Sequence, residues 1–108
     1  MDIYEYNGPD FSALFDFEHW RIGIVNYGER FSKYAEEERH SLTDEAFVLL
    51  QGSAALYEEG SKACDMEPGK VYNVRKGVWH HIVLEKDSKV LVIENSNTAK
   101  ENTERRYF

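Results

Sequence analysis

Two short segments of this chain carry residue types that bind metal ions. His40 and Glu45 stand in the first segment, which ends at Gly52, and His80 ends the second, which begins at Gly69. Two imidazoles with a carboxylate form a ligand set that leaves coordination positions open for a substrate. Both segments lie beside runs typical of β-strands, so a folded β-barrel could bring them together.

Neighbouring residues add one candidate ligand and exclude another. Glu38 lies two residues before His40, and side chains two apart on a strand point to the same face. It also belongs to the charge run 36–39, and such runs are usually solvated. Glu38 is therefore either a fourth ligand or an exposed loop residue. His81 directly follows His80 and must point to the opposite face of a strand, so we expect it at the surface or at an interface.

Two further polar residues have simpler expectations. Glu45 opens a strongly apolar strand, and we expect it to face inward, where a partner or a metal would offset the cost of burying its charge. His19 follows an acidic residue near the first strand and is expected to be an ordinary surface imidazole.

The composition excludes several classes of partner. Lys and Arg total 13 against 20 Asp and Glu, and the net charge of −7 repels nucleic acid and anionic membrane surfaces. The longest wholly apolar run, residues 46–50, is too short for a signal peptide or a membrane span. We therefore expect a cytoplasmic protein whose partner is a small-molecule ligand. Cys64 is the only cysteine, so no internal disulfide is expected.

The hydrophobic pattern has the period of β-strands. Short runs rich in Val, Ile, Leu, Tyr and Phe are separated by turn residues at regular spacing, which is typical of an all-β sandwich or barrel. The predicted strands are residues 20–26, 45–51, 53–57, 70–74, 79–84 and 89–95.

The remaining segments complete one domain. Residues 10–17 could form one or two helical turns, and the polar tail 96–108 is predicted to be irregular over 96–106. No repeat, linker or low-complexity stretch divides the chain, so we expect a single domain over 1–108 with its core at about 20–95.

Two of the predicted strands are apolar on both faces. Residues 45–50 and 90–93 have no polar face, so each must be covered on both sides. One side would line the barrel interior, and the N-terminal residues or another subunit would cover the other. A homodimer is the simpler interpretation.

The two candidate segments resemble the two sequence motifs of the cupin family. Glu45 is followed by Gly52 at the spacing of the first motif, and Gly69 leads through Gly77 to His80 as in the second. The resemblance is to small single-domain bacterial cupins. It implies an all-β double-stranded β-helix, or jelly-roll barrel, with a pocket inside.

The resemblance also implies metal ligands, although the motifs are degenerate. His40, Glu45 and His80 occupy ligand positions, whereas Glu38 replaces the first His of the first motif and Arg75 replaces the Pro of the second. A divalent manganese, iron, zinc or nickel ion is implied. With Glu38 as a fourth ligand, the set is rich in oxygen and suits manganese or iron better than a closed structural zinc site.

Three uses of such a barrel stay open. In the first, the metal centre performs isomerase, lyase or oxygenase chemistry on a small polar substrate. In the second, the pocket binds a sugar or a carboxylate without metal and without turnover. In the third, the histidines and carboxylates form a metal-free structural network.

Overall fold

The computed structural model describes all 108 residues and is built almost entirely of strands. Two 3₁₀ turns, Glu29–Phe31 and Lys100–Asn102, are its only helical segments. The strands are β1 Asp10–Phe17, β2 Trp20–Asn26, β3 Glu36–His40, β4 Glu45–Gln51, β5 Ala54–Glu58, β6 Ser61–Asp65, β7 Tyr72–Val74, β8 His80–Leu84, β9 Lys89–Asn95 and β10 Thr103–Tyr107.

The strands form two antiparallel five-stranded sheets. The first sheet has the order β1-β2-β9-β4-β7, and the second has the order β10-β3-β8-β5-β6. Their inner faces share one apolar core, to which the first sheet contributes Val25, Phe47 and Val92 and the second contributes Leu56 and Ile82. The prediction of an all-β jelly-roll barrel is confirmed.

Period-two patterning located several strands well. The predicted bounds of β2, β4 and β9 agree with the structure, and β5, β7 and β8 differ from their predictions by one or two residues at an end. Along β4, Glu45, Phe47 and Leu49 are buried, whereas Ala46 and Val48 on the outer face are only partly covered. The inward orientation expected for Glu45 is therefore observed.

Three predictions about local structure were wrong. Residues 10–17 form strand β1 rather than helical turns, and a register shift between Ala13 and Phe15 breaks the alternation that would have identified the strand. The charge run 36–39 forms most of β3 rather than a solvated loop. The tail predicted to be irregular contains β10, which pairs with β3 from Thr103↔His40 to Tyr107↔Glu36.

The pairing register of β10 with β3 explains why these two polar segments form strands. Opposite charges face each other directly at Glu104↔Arg39, Arg105↔Glu38 and Arg106↔Glu37. Such cross-strand pairs stabilise a sheet, but they join residues far apart in the sequence. Separately, no helix of the structure is long and apolar enough to cross a membrane.

Candidate metal centre

The candidate ligands lie on three strands that face the barrel interior. β3 carries Glu38 and His40, β4 begins at Glu45, and β8 begins at His80. The first and last of these strands meet at a single pair, Glu38↔His80, which places both motif segments at the same point of the second sheet.

Backbone contacts hold the two motif segments together. Gly77 N–H donates to the carbonyl of His40 at 2.8 Å, and Lys76 N–H donates to Asp44 Oδ1 at 2.9 Å. The other oxygen of Asp44 accepts from the Asn73 amide at 3.0 Å. Gly77 has φ +81°, a left-handed conformation that glycine adopts without strain. The turn before His80 is therefore fixed against the loop that joins His40 to Glu45.

Four potential ligands converge. One ligand atom from each of Glu38, His40, Glu45 and His80 lies within 4.8 Å of all the others. His80 Nε2 is 2.8 Å and His40 Nε2 is 3.3 Å from Glu45 Oε1, and His40 Nε2 is 3.8 Å from Glu38 Oε1. The convergence expected for these residues is observed.

The second nitrogen of each imidazole identifies the tautomer. His80 Nδ1 is 2.9 Å from the Val78 carbonyl, which can only accept, so Nδ1 carries a hydrogen. The Thr103 hydroxyl donates its single hydrogen to the Ala99 carbonyl at 2.8 Å. It must therefore accept from His40 Nδ1, 3.0 Å away. In its neutral form each imidazole would therefore direct an Nε2 lone pair towards Glu45, as a metal-bound histidine directs its lone pair towards the metal.

The electrostatics of these groups favour a charged site. Burial opposes ionisation of Glu45, but its contacts with His40 and His80 outweigh burial and hold the pKa of this carboxyl well below its usual range. Burial likewise opposes protonation of His80, but the adjacent Glu45 carboxylate raises the pKa of the imidazole. His40 Nε2 is buried without a hydrogen-bond partner, so this lone pair has no proton donor in the protein.

Glu38 has a different environment from Glu45. Its Oε2 accepts from Arg30 at 2.7 Å and lies 3.4 Å from Arg105, which leaves Oε1 on the side of His40. One oxygen is thus held by arginines and the other faces the candidate site. The structure places Glu38 on the barrel wall and not in a solvated loop.

These residues form part of a cavity of about 590 Å³ between the sheets. Apolar side chains from both sheets surround the polar cluster, and basic side chains lie around it. The lining includes Phe11, Arg21, Val25, Arg30, Phe31, Glu38, His40, Glu45, Phe47, His80, His81, Ile82, Val92, Glu94, Lys100, Thr103, Arg105 and Tyr107. Such a volume accommodates a small organic molecule.

Comparison with known proteins agrees with the fold and the motifs. The Cupin_2 family profile, which describes the cupin domain, matches residues 27–94, more than half of the chain. The chain belongs to the cupin family. No protein with a curated description matches its sequence.

Solved structures show the same architecture at low sequence identity. A cupin-2 domain protein of Shewanella frigidimarina has a TM-score of 0.68 at 19% identity, covering 83% of this cupin and 84% of that chain. Streptomyces Pac13, a nucleoside dehydratase solved with uridine, has a TM-score of 0.75 at 8% identity, covering 100% and 92%. KdgF from a Halomonas species has a TM-score of 0.64 at 19% identity, covering 90% of each chain.

One buried carboxyl in this cupin was missed by sequence reasoning. Glu94 lies on β9 directly opposite Glu45, lines the cavity, and has Arg21 Nη1 at 3.7 Å. Burial and the charge of Glu45 raise the pKa of Glu94 to about 8. The signal was an acidic residue two positions after Val92 on an inward-facing strand, but only the strand register shows that it adjoins Glu45.

His81 was expected at the surface or an interface, and this was wrong. Its imidazole is 3% exposed, stacks on Phe31 with ring centroids 5.4 Å apart, and has Nε2 3.1 Å from the Arg30 carbonyl. Burial lowers its pKa. Alternation along a strand predicts the face of His81, but it does not predict that the 3₁₀ turn Glu29–Phe31 covers β8 at this position. His19, by contrast, is exposed as expected.

Proposed function

We propose that this cupin binds a divalent metal through His40, Glu45 and His80, with Glu38 as a fourth ligand, and acts on a small polar substrate. The bound metal would act as a Lewis acid that polarises a substrate oxygen. Chemistry of the isomerase, lyase or oxygenase type is compatible with such a centre. One observation carries the proposal: two imidazole lone pairs, each fixed by a hydrogen bond at Nδ1, converge on one buried carboxylate.

A purely structural network is a poorer explanation of this arrangement. A buried polar network stabilises a fold when every acceptor has a donor. Here a carboxylate oxygen faces two imidazole nitrogens, and one proton between Glu45 and His80 leaves His40 Nε2 without a donor. A cation among the three groups would satisfy all of them.

The donor set also bears on which metal is bound. Two imidazoles and two carboxylates suit manganese or iron, whereas closed structural zinc sites usually contain cysteine, and Cys64 does not belong to this cluster. Zinc and nickel are compatible with the imidazoles. The protein side chains would orient the ion, and the apolar cavity wall would exclude bulk water from the substrate.

The proposal is tested by measuring metal content and affinity. Protein purified without chelators should contain about one equivalent of a transition metal by elemental analysis, and calorimetry should detect rebinding after removal. His40→Ala and His80→Ala should both abolish stoichiometric binding. His19→Ala is the matched control, because it removes an exposed imidazole.

Two results would contradict this function. Equal metal retention by His80→Ala and His19→Ala would show that the metal lies elsewhere. Absence of any metal, together with binding of a small ligand in the cavity, would favour the non-catalytic alternative. The nucleoside dehydratase among the structural neighbours is 8% identical to this chain and supports only the fold.

We further propose that this cupin is a homodimer. The outer face of the first sheet is apolar across four strands, and Tyr4 of the N-terminal segment stacks on Phe15 there, with ring centroids 4.8 Å apart. Phe17 is 58% and Trp20 43% exposed on this face. Apolar residues that align there are Phe15, Phe17, Trp20, Ile22, Ile24, Ala46, Val48, Leu91 and Ile93.

Such a face is typical of an interface that buries apolar surface. Light scattering should give twice the chain mass of 12.6 kDa, and Trp20→Glu should shift the protein towards the monomer. A monomer mass across a wide concentration range would contradict the dimer.

A further inference from the structure

Basic side chains are concentrated around the cavity of this acidic protein. The net charge of the chain is −7, yet four of its 13 Lys and Arg residues line the cavity: Arg21, Arg30, Lys100 and Arg105. The carboxyl groups of Glu38, Glu45 and Glu94 line it as well, so attraction of an anion depends on which basic groups the protein leaves unpaired. The question is which of these cations are free to bind a ligand.

Arg21 and Arg30 are already engaged by the protein. Arg21 donates to Asp16 at 3.0 Å and to the backbone carbonyls of Ser96 and Thr98. Arg30 donates to Glu36 at 3.1 Å and to Glu38 at 2.7 Å. These two arginines hold the cavity wall together.

Arg105 and Lys100 are not engaged in this way. The Arg105 guanidinium donates no hydrogen bond, although it lies 3.4 Å from Glu38 and 3.8 Å from Glu36, and its side chain is 40% exposed. Both of those carboxylates already accept from Arg30. Lys100 is exposed and has no carboxylate within 4.0 Å. The C-terminal segment thus presents to the cavity one arginine that is held only by two long ion pairs, and one unpaired lysine.

The charge balance of the site points in the same direction. A divalent metal would be neutralised by Glu38 and Glu45, while Arg30 is paired with Glu36 and Arg21 with Asp16. Glu94 also lines the cavity, 3.7 Å from Arg21, and with this carboxylate counted one positive charge would remain on Arg105 and Lys100 together. The cavity lining also contains Phe11, Phe31 and Phe47.

We propose that the substrate class is a small organic carboxylate with an apolar or aromatic body, whose carboxylate binds Arg105 and Lys100. Arginine binds carboxylates through two parallel hydrogen bonds, which a neutral polar group of the same shape cannot match in strength. The three phenylalanines would contact the body of the ligand. The inference rests on the proposed function, since it names the substrate of that same site.

Benzoate and benzamide form a suitable probe pair, because they have the same shape and differ in charge. Binding to the protein loaded with diamagnetic zinc is followed by NMR chemical-shift titration, and the same titration of metal-free protein shows how much of the affinity comes from the metal. Benzoate should bind at least about fivefold more tightly than benzamide, and its shifts should include Lys100 and Arg105. Inorganic phosphate, which lacks the apolar body, should bind more weakly than benzoate.

Variants assign the preference to Arg105. Arg105→Gln should weaken benzoate binding about tenfold and remove the acid-over-amide preference, and Arg105→Lys should retain part of it. Lys100→Gln should give a smaller loss. Arg75→Gln is the matched control, because it changes the net charge equally at an exposed position outside the cavity. Urea unfolding verifies that each variant is folded.

The outcomes separate this inference from the proposed function. Equal affinities for benzoate and benzamide, an unchanged preference in Arg105→Gln, or phosphate binding as tightly as benzoate would overturn the substrate class, even if metal binds. Metal titration of His80→Ala is a separate measurement. If His80→Ala bound metal as tightly as the unmodified protein, the proposed metal centre would be overturned. The carboxylate site would still be decided by whether benzoate binding depends on Arg105.

Discussion

Glu37 and Glu45 are two buried carboxylates in opposite environments. Glu37 is fully buried on the outer side of β3, and Glu45 is 7% exposed on the inner side of the barrel. Both groups have pKa values below their usual range despite burial. The partners that stabilise each charge are different in kind.

The oxygens of Glu37 are surrounded by hydrogen-bond donors. Oε2 accepts from the Tyr34 hydroxyl at 2.7 Å and from Gly60 N–H at 3.0 Å, while Oε1 accepts from Arg106 Nε at 2.9 Å. Arg106 in turn lies over Trp79, 4.4 Å from the ring centroid. This network needs nothing from outside the protein, and it attaches β10 to the barrel.

Glu45 faces two imidazole nitrogens, and only His80 Nε2 is hydrogen-bonded to it, at 2.8 Å. Burial and a low pKa alone therefore do not distinguish a structural carboxylate from a functional one. The hydrogen bonds do: every oxygen of Glu37 has a donor, whereas His40 Nε2 beside Glu45 has no partner. Five predictions test this contrast.

The largest effect is expected from Glu45→Gln. We expect metal affinity to fall by at least about a hundredfold, since a charged ligand is lost, while stability of the metal-free protein changes by less than about 1 kcal/mol because the amide can donate to an imidazole. Calorimetry and urea unfolding measure the two quantities. Glu85→Gln, an exposed carboxylate outside the cavity, is the control. A large loss of stability with unchanged metal affinity would reverse the assignment of Glu45.

Glu37→Gln should have the complementary effect. We expect unfolding free energy to fall by about 2 kcal/mol, because a buried charge-assisted network loses its acceptor, while metal affinity is unchanged. Urea unfolding with calorimetry on the same preparation tests both expectations. Lost metal binding in a variant that stays folded would show that the two carboxylates are not independent.

Thr103→Val should weaken metal binding about tenfold, because it removes the acceptor that fixes the His40 tautomer. Thr103→Ser retains the hydroxyl and should restore affinity, which a merely structural role would not require. Metal titration of both variants decides the question. Equal affinity of Thr103→Val and the unmodified protein would show that His40 needs no orienting hydrogen bond.

The smallest effect is a pH dependence of stability. Burial disfavours the Glu37 charge, but hydrogen bonds from Gly60, Tyr34 and Arg106 lower its pKa below the ordinary 4.5. The contribution of the Glu37 charge to folding stability is therefore fully present above pH 4.5. It is lost as the pH falls through the lower pKa of the folded state. The stability difference between the unmodified protein and Glu37→Gln should shrink on acidification. A difference that stays constant below pH 4 would contradict this linkage.

Tyr34 gives the opposite sign at alkaline pH. Burial and the hydrogen bond to Glu37 raise its pKa to about 12 from the ordinary 10. The stabilisation that the protonated Tyr34 hydroxyl gives to the folded state is present below pH 10 and is lost as the pH rises towards 12. Urea midpoints of Tyr34→Phe should therefore depend less on pH in this range than those of the unmodified protein. Parallel profiles would exclude Tyr34 as the titrating group.

The fold and three candidate ligands could be predicted because both signals are local. Alternation identified β2, short apolar runs between turn residues identified β4 and β9, and the motifs selected His40, Glu45 and His80. β1 was missed because a register shift interrupts its alternation. β3 and β10 were missed because their charges are compensated across strands by residues more than 60 positions apart, such as Arg106 and Glu37.

The wider site depended on register that no local pattern reveals. Glu94 adjoins Glu45 only through the pairing of β9 with β4, and Thr103 reaches His40 only through the pairing of β10 with β3. The burial of His81 depends on the turn that contains Phe31. Period and spacing predict which face a residue occupies, but they do not predict what lies opposite.

The proposed metal among His40, Glu45 and His80 is tested by a crystal structure of metal-loaded protein, with diffraction data on both sides of the metal's absorption edge. We expect one anomalous peak about 2.0–2.3 Å from both Nε2 atoms and from a Glu45 oxygen, with Glu38 adjacent. A peak elsewhere, or ordered His40 and His80 side chains with no peak between them at saturating metal, would contradict it.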